Sequence, residues 1–197
     1  MKILIATGNQ HKVSEISQIL TPLGYELLSA NDVGGIPEVI EDGDTFAANA
    51  VKKAVEVAAA KQLPTIADDS GLEVLALNRE PGIYSARYGG DTCKSDQDRC
   101  ELLLRNMLSV KNRGARFVCV IAIATPDGKT VTAEGEVTGE ILHKMTGKSG
   151  FGYDPIFQPN GHERSFAQMS GEEKDAISHR GKALKQACKE NLFEILK

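Results

Sequence analysis

The sequence predicts a mixed α/β sheet with flanking helices, on three observations. Its first third alternates short aliphatic and β-branched runs with helix-period segments, the sign of strand and helix units. Two later runs, Arg116 to Ala124 and Thr130 to Gly139, are joined by the turn residues Pro126-Asp127-Gly128 and read as an antiparallel hairpin. No repeat, low-complexity tract or linker breaks the chain, so residues 1–197 are expected to form one domain.

Composition sets limits on function. With 197 residues and 41% hydrophobic content, a sizeable core forms without disulfides or structural metal. The charge balance, 23 Lys plus Arg against 27 Asp plus Glu, argues against binding nucleic acid by general attraction. A small anionic ligand needs only local cations. The run Met1 to Ala6 is too short for a signal peptide and no stretch approaches a membrane span, so the expectation is a cytoplasmic protein with no membrane contact. Cys93, Cys100, Cys119 and Cys188 have no zinc-ligand or disulfide spacing.

In chain order, Lys2 to Ala6 predicts a strand, Thr7-Gly8-Asn9 a loop, and Val13, Ile16, Ile19 and Leu20 one face of a helix capped by Asn9. The first-turn amides of such a helix suit a phosphate, with Lys12 adding charge, although many strand-to-helix turns carry Gly and Asn for geometry alone. Gly24 ends the helix and Tyr25 to Ser29 follows as a strand. An acidic loop, Glu38 to Asp44, leads to Thr45, the N-cap of a helix running to about Lys61. Glu41 suits either the helix dipole or a metal, and of Lys52 and Lys53, which are about 100° apart, one must be the less exposed.

Leu63 to Leu72 then reads Leu-Pro-Thr-Ile-Ala-Asp-Asp-Ser-Gly-Leu. Thr65 to Ala67 fits a buried strand, Asp68 and Asp69 its end, and Ser70-Gly71 a tight turn, with Leu72 to Leu77 as another strand. Adjacent carboxylates at the edge of an apolar core need a cation or several donors, which a divalent metal supplies; the bland alternative is a polar turn. After an irregular stretch from Pro81 to Gly90, Ser95 to Leu108 predicts a helix capped by Ser95 and Asp98.

In Gly147 to Phe157 the glycines let backbone approach a flat ligand while Phe151 or Tyr153 stacks on it, or the two aromatics pin a hairpin loop. Ser170 to Lys197 reads as helical, opened by a Ser170/Glu173 capping box and interrupted at Ser178 to Gly181, with Lys174, His179 and Arg180 as donors near the junction.

Five blocks carry a resemblance that spans nearly the whole chain. Thr7-Gly8-Asn9-x-x-Lys12, Ala67-Asp68-Asp69-Ser70-Gly71-Leu72, Pro81 to Arg87, Gly150 to Phe157 and Glu172-Glu173-Lys174-x-x-Ile177-Ser178-His179-Arg180 together closely resemble the inosine/xanthosine triphosphate pyrophosphatases, in that family's order. The resemblance implies an elongated mixed sheet with two lobes around a central nucleotide cleft. It also implies a Mg2+-dependent cytoplasmic homodimer that cleaves ITP, dITP and XTP to the monophosphate and pyrophosphate, cleansing the nucleotide pool of deaminated purines. Carried over by position, Thr7, Gly8, Asn9, Gln10, His11, Lys12 and Lys53 hold phosphates, Glu41 and Asp69 the metal, and Asp69 the attacking water. Ser70, Phe151, Gly152, Tyr153, Asp154, Lys174, His179 and Arg180 hold the rest of the substrate. Glu41-Asp42-Gly43 stands where many relatives have Glu-Thr-Gly, which leaves Asp42 as a second candidate for the metal.

Overall fold

The computed structural model describes residues 2–196. Its strands are β1 (Lys2–Ile5), β2 (Glu26–Leu28), β3 (Thr65–Val74), β4 (Gly114–Ala124), β5 (Thr130–Ile141) and β6 (Phe157–Pro159). They form one six-stranded sheet in the order β2-β1-β3-β4-β5-β6, so the mixed α/β expectation holds. The helices are α1 (Gln10–Leu20), α2 (Phe46–Lys61), α3 (Asp96–Asn106), α4 (Gly171–Ile177) and α5 (His179–Lys189). Among the described residues no helix is long and apolar enough to cross a membrane.

The chain divides into two compact units. The first holds the chain up to Ser70, Cys119–Gly135 and the chain from His179. In it β1 runs parallel to both neighbours, with Ile3 opposite Leu27 and Ile5 opposite Ile66. Side chains alternate across a strand. Ile3, Ile5, Ile66, Ile121 and Ile123 therefore fall on one face, and they cluster with Ile16 and Leu20 of α1 and Ala183, Leu184 and Ala187 of α5. The capping expectations hold here: the Asn9 side chain accepts the His11 and Lys12 amides, and Thr45 accepts that of Ala48. The turn after β4 is closed by Gly128 N–H donating to Thr125 O at 2.9 Å.

The second unit holds Gly71–Val118 and Glu136–Ser178. Its core gathers Leu72, Val74, Leu103, Met107, Phe117, Ile141, Tyr153, Ile156, Phe157 and Phe166. Phe117 meets Phe157 edge-on, with ring centroids 4.8 Å apart, a favoured aromatic geometry. Both predicted capping boxes are present, Ser95 with Asp98 and Ser170 with Glu173.

Two expectations are corrected. Asp68, Asp69, Ser70 and Gly71 form no strand end and turn; they lie inside β3, which continues to Val74, and Leu75–Leu77 is a 3₁₀ turn instead of a strand. The turn preference of Asp, Ser and Gly is overridden by the sheet: β3 pairs with β1 at Thr65 and Ile66 and has β4 as its neighbour on the other side. The C-terminal helix breaks at Ser178 alone, in extended conformation, and His179, Arg180 and Gly181 open α5. Helical structure after α5 ends in a 3₁₀ turn at Leu192–Leu196, and Lys197 lies outside the described residues.

Candidate active site

Continuity of β3 resolves the problem of two adjacent buried carboxylates. Because successive side chains point to opposite faces, Asp68 follows Ile66 onto the face covered by α1 and α5, and Asp69 turns the other way. Each then meets its own partners.

Asp68, 1% exposed, accepts Lys12 Nζ of α1 at 3.0 Å and Arg180 Nη2 of α5 at 2.7 Å, both through Oδ2. Arg180 is itself wholly buried; Nη2 also donates to Ser70 Oγ at 2.9 Å, and Nη1 pairs with Glu15 of α1. Burial opposes ionisation of Asp68, but Lys12, Arg180 and Lys53 outweigh it and hold the carboxyl well below the usual carboxylate range. Burial lowers the Arg180 pKa, yet Asp68 and Glu15 more than restore it and hold the guanidinium charged.

Asp69, 6% exposed, accepts Asn49 Nδ2 of α2 at 3.1 Å and the Ser70 amide at 3.0 Å. Its pKa is raised, first by burial and further by the negative charge of Glu41, against the opposing pull of Lys53, Asn49 and Lys12. Lys53, one turn beyond Asn49, pairs with Glu41. Burial lowers the Lys53 pKa, yet Asp68, Glu41 and Asp69 more than restore it. The adjacent lysine behaves differently. Lys52 pairs with Asp42 at the surface, its side chain 33% exposed against 13% for Lys53, so the expected inequality of the two is present.

At the start of α1 the cap consumes donors that the sequence offers to a phosphate. Asn9 Oδ1 takes the His11 and Lys12 amides at 2.9 and 3.4 Å, and Thr7 Oγ1 takes the Asn9 amide at 3.1 Å. A Cβ added at Gly8 would meet nothing within 4 Å, so the loop is open there. His179 is buried at the first position of α5.

In the second unit, Gly150 to Asp154 is held almost atom by atom. Asp154 Oδ2 accepts the Phe151 amide at 2.9 Å and Lys174 Nζ at 2.6 Å. Gly150 has φ +75°, and a Cβ there would run into the Asp154 carboxylate, so only glycine allows this arrangement. Lys174 Nζ lies 4.6 Å from the Phe151 ring centroid, within cation–π range. The Gly152 amide donates to Asp96 Oδ2 of α3 at 2.7 Å, and the Cys100 thiol donates to Gly152 O at 3.3 Å. Burial, helped by the charges of Asp96 and Asp154, raises that thiol to about 12, so it stays a donor. A cavity of about 350 Å³ adjoins the loop, lined by Asp96, Cys100, Met145, Lys148 and Phe151 among others.

Two side chains act as tethers. Tyr153 is 3% exposed and donates its hydroxyl to Ser85 O at 2.8 Å, so it pins the loop and leaves Phe151 as the aromatic face. Ser85 in turn accepts the Leu72 amide at 2.9 Å, which gives it a tethering role. Glu15, Asn49 and Asp96 were not anticipated. A signal existed for two of them: Glu15 sits three residues after Lys12, and Asn49 is a polar residue one helical turn before Lys53.

The Ham1 family model matches residues 3–190. A dITP/XTP pyrophosphatase of Desulfotalea psychrophila is 50% identical over 182 residues, covering 92% of this chain and 81% of that protein. One from Thermus thermophilus is 50% identical over 188 residues, covering 94% and 89%. Among solved structures, the Staphylococcus aureus Ham1 protein is similar at 44% identity and a TM-score of 0.84, covering 97% of this chain and 99% of that one. A HAM1 protein from Coxiella burnetii is similar at 38% identity and a TM-score of 0.85, covering 94% and 95%. On the family model that spans residues 3–190, relatives 50% identical over most of the chain and solved structures of the same fold, the chain belongs to the Ham1 family.

Proposed function

We propose that the chain hydrolyses non-standard purine nucleoside triphosphates, ITP, dITP and XTP, to the monophosphate and pyrophosphate, as a Mg2+-dependent cytoplasmic homodimer that clears deaminated purines. The observation that supports this most is the setting of Asp69: a buried carboxylate with a raised pKa, beside Glu41 and Lys53. A base poised in that way suits water activation better than an ordinary surface Asp.

Two carboxylates would suit a hard divalent cation: Glu41 and Asp69 offer oxygen donors, and the negative charge of Glu41 raises the cost of ionising Asp69, which a bound cation would relieve. Asp42, tied to exposed Lys52, is the weaker candidate. When bound, Mg2+ would neutralise charge on the phosphate oxygens and polarise water. The Asp69 carboxylate orients the attacking water and takes its proton as the oxygen adds to the α-phosphorus, and the bond from that phosphorus to the bridging oxygen breaks to release pyrophosphate. Lys12 and Lys53 bind phosphate oxygens, exchanging part of their pairing with Asp68 and Glu41 for the polyanion.

Base choice follows from polarity. Lys174 is a donor-only group fixed by Asp154 against the Phe151 ring, suited to the 6-oxo acceptor of hypoxanthine and xanthine while a base stacks on Phe151. Adenine presents a 6-amino donor there, so a donor-only group meets a donor in place of an acceptor. The test is kcat/KM for ITP, dITP, XTP, GTP and ATP. Preference for the first three over ATP by at least about a hundredfold is expected; an even profile contradicts the reading.

The two lysines of α2 provide a second check. Lys53→Ala is expected to lower kcat/KM for ITP by about 10- to 100-fold, the worth of a charge-assisted contact of about 1.5–3 kcal/mol. Lys52→Ala leaves the rate near that of wild type. Equal losses in the two variants would remove Lys53 from the site.

A further inference from the structure

We infer that Asn49 is a positioning residue that fixes the acidic loop carrying Glu41 against the carboxylate of Asp69; the inference rests on the catalytic reading of Asp69 above. Asn49 is fully buried on α2, and its side chain is used at both ends. Oδ1 accepts the Gly43 amide at 2.8 Å, and Nδ2 donates to Asp69 Oδ2 at 3.1 Å. The orientation of this carboxamide is forced, because a peptide N–H only donates and a carboxylate only accepts. Few side chains of this size meet both demands. Asp has the shape but lacks the donor, Leu has neither arm, and Ser is too short to span the two.

The surroundings leave little freedom. A Cβ at Gly43 would come within 2.8 Å of both Ala48 Cβ and Asn49 Oδ1, so the loop is seated directly on the helix. One turn along, Lys53 takes Glu41, the residue two before Gly43. One face of α2 thus grips the loop twice and Asp69 once. Glu41 and Asp69 repel each other, and the Asn49 carboxamide is a neutral bridge that holds the loop and the carboxylate to one spacing. A misplacement of about 1 Å in such a constellation costs up to about a hundredfold in rate.

The test compares wild type, Asn49→Leu and Asn49→Asp as full chains. It measures kcat and KM for ITP at saturating Mg2+, the thermal midpoint, and hydrogen exchange at the Gly43 amide. Both variants are expected to lose about 10- to 100-fold in kcat at temperatures well below melting, with KM within about threefold of wild type. Gly43 exchange accelerates in Asn49→Leu, while Asn49→Asp, which keeps the acceptor, retains protection; this separates the two arms. A kcat within twofold of wild type in Asn49→Leu overturns the inference, as does a loss that appears in KM alone. Should the Leu variant fail to fold, a wild-type kcat in Asn49→Asp overturns it equally. A wild type inactive on ITP removes the functional reading and this inference with it, whereas an active wild type with equally active variants removes this inference alone.

Discussion

Asp69→Asn is expected to abolish turnover of ITP while leaving the protein folded. The substitution keeps the shape of the side chain and removes the charge that holds a cation and takes the proton from water. A positioned general base is worth about 10²–10⁴-fold, and loss of a metal ligand compounds it, so a fall of roughly a thousandfold or more is anticipated. The fold should tolerate the change. Asp69 is already penalised by burial and by Glu41, so neutralising it removes a cost, and the Asn oxygen can still accept from Asn49 or Ser70. Steady-state rates at saturating Mg2+, with circular dichroism and a melting curve on the same preparation, make the check. A folded variant with near-normal turnover would take both roles away from Asp69.

Arg180→Ala is expected to be the most damaging single substitution to stability. The guanidinium is buried among Asp68, Ser70 and Glu15, and its removal leaves only Lys12, the charge of Lys53 and the Ser70 hydroxyl to offset a fully desolvated carboxylate. Breaking a buried ion pair from one side costs about 3–5 kcal/mol, a large share of the stability of a domain. Arg180→Lys should restore only part, since one ammonium cannot reproduce the planar fork that meets Asp68, Ser70 and Glu15 together. Denaturant unfolding of the three proteins gives the comparison. The sequence alone suggests Arg180 as a reader of the base. With its donors committed to this network, Arg180→Ala is expected to slow ITP, XTP, GTP and ATP by one common factor; a selective loss for ITP and XTP would return it to base recognition.

What could be read from the sequence was what local rules govern. Asn9, Thr45, Ser95 and Ser170 cap helices as their positions predict, because a cap depends on residues within one turn of it. The inequality of Lys52 and Lys53 follows from helical geometry alone. The partner of Asp68 did not follow. Arg180 lies 112 residues away in the chain, and no spacing rule connects a strand carboxylate to the second residue of a distant helix. Asp68-Asp69-Ser70-Gly71 reads as a turn for the same reason: its polarity is paired by tertiary neighbours that propensity does not see. Asn49 is the converse case, a residue silent in any motif whose use appears only when both ends of its amide are accounted for.

The central claim, cleavage of a non-standard purine triphosphate between its α and β phosphates, is tested most directly by product analysis. Wild-type protein is incubated with ITP and Mg2+, and the products are separated by ion exchange, without coupling enzymes. Equal amounts of IMP and pyrophosphate, with no IDP at any time point, are the predicted result. Accumulation of IDP with orthophosphate would contradict it, and would mean that Asp69 directs water to the terminal phosphate.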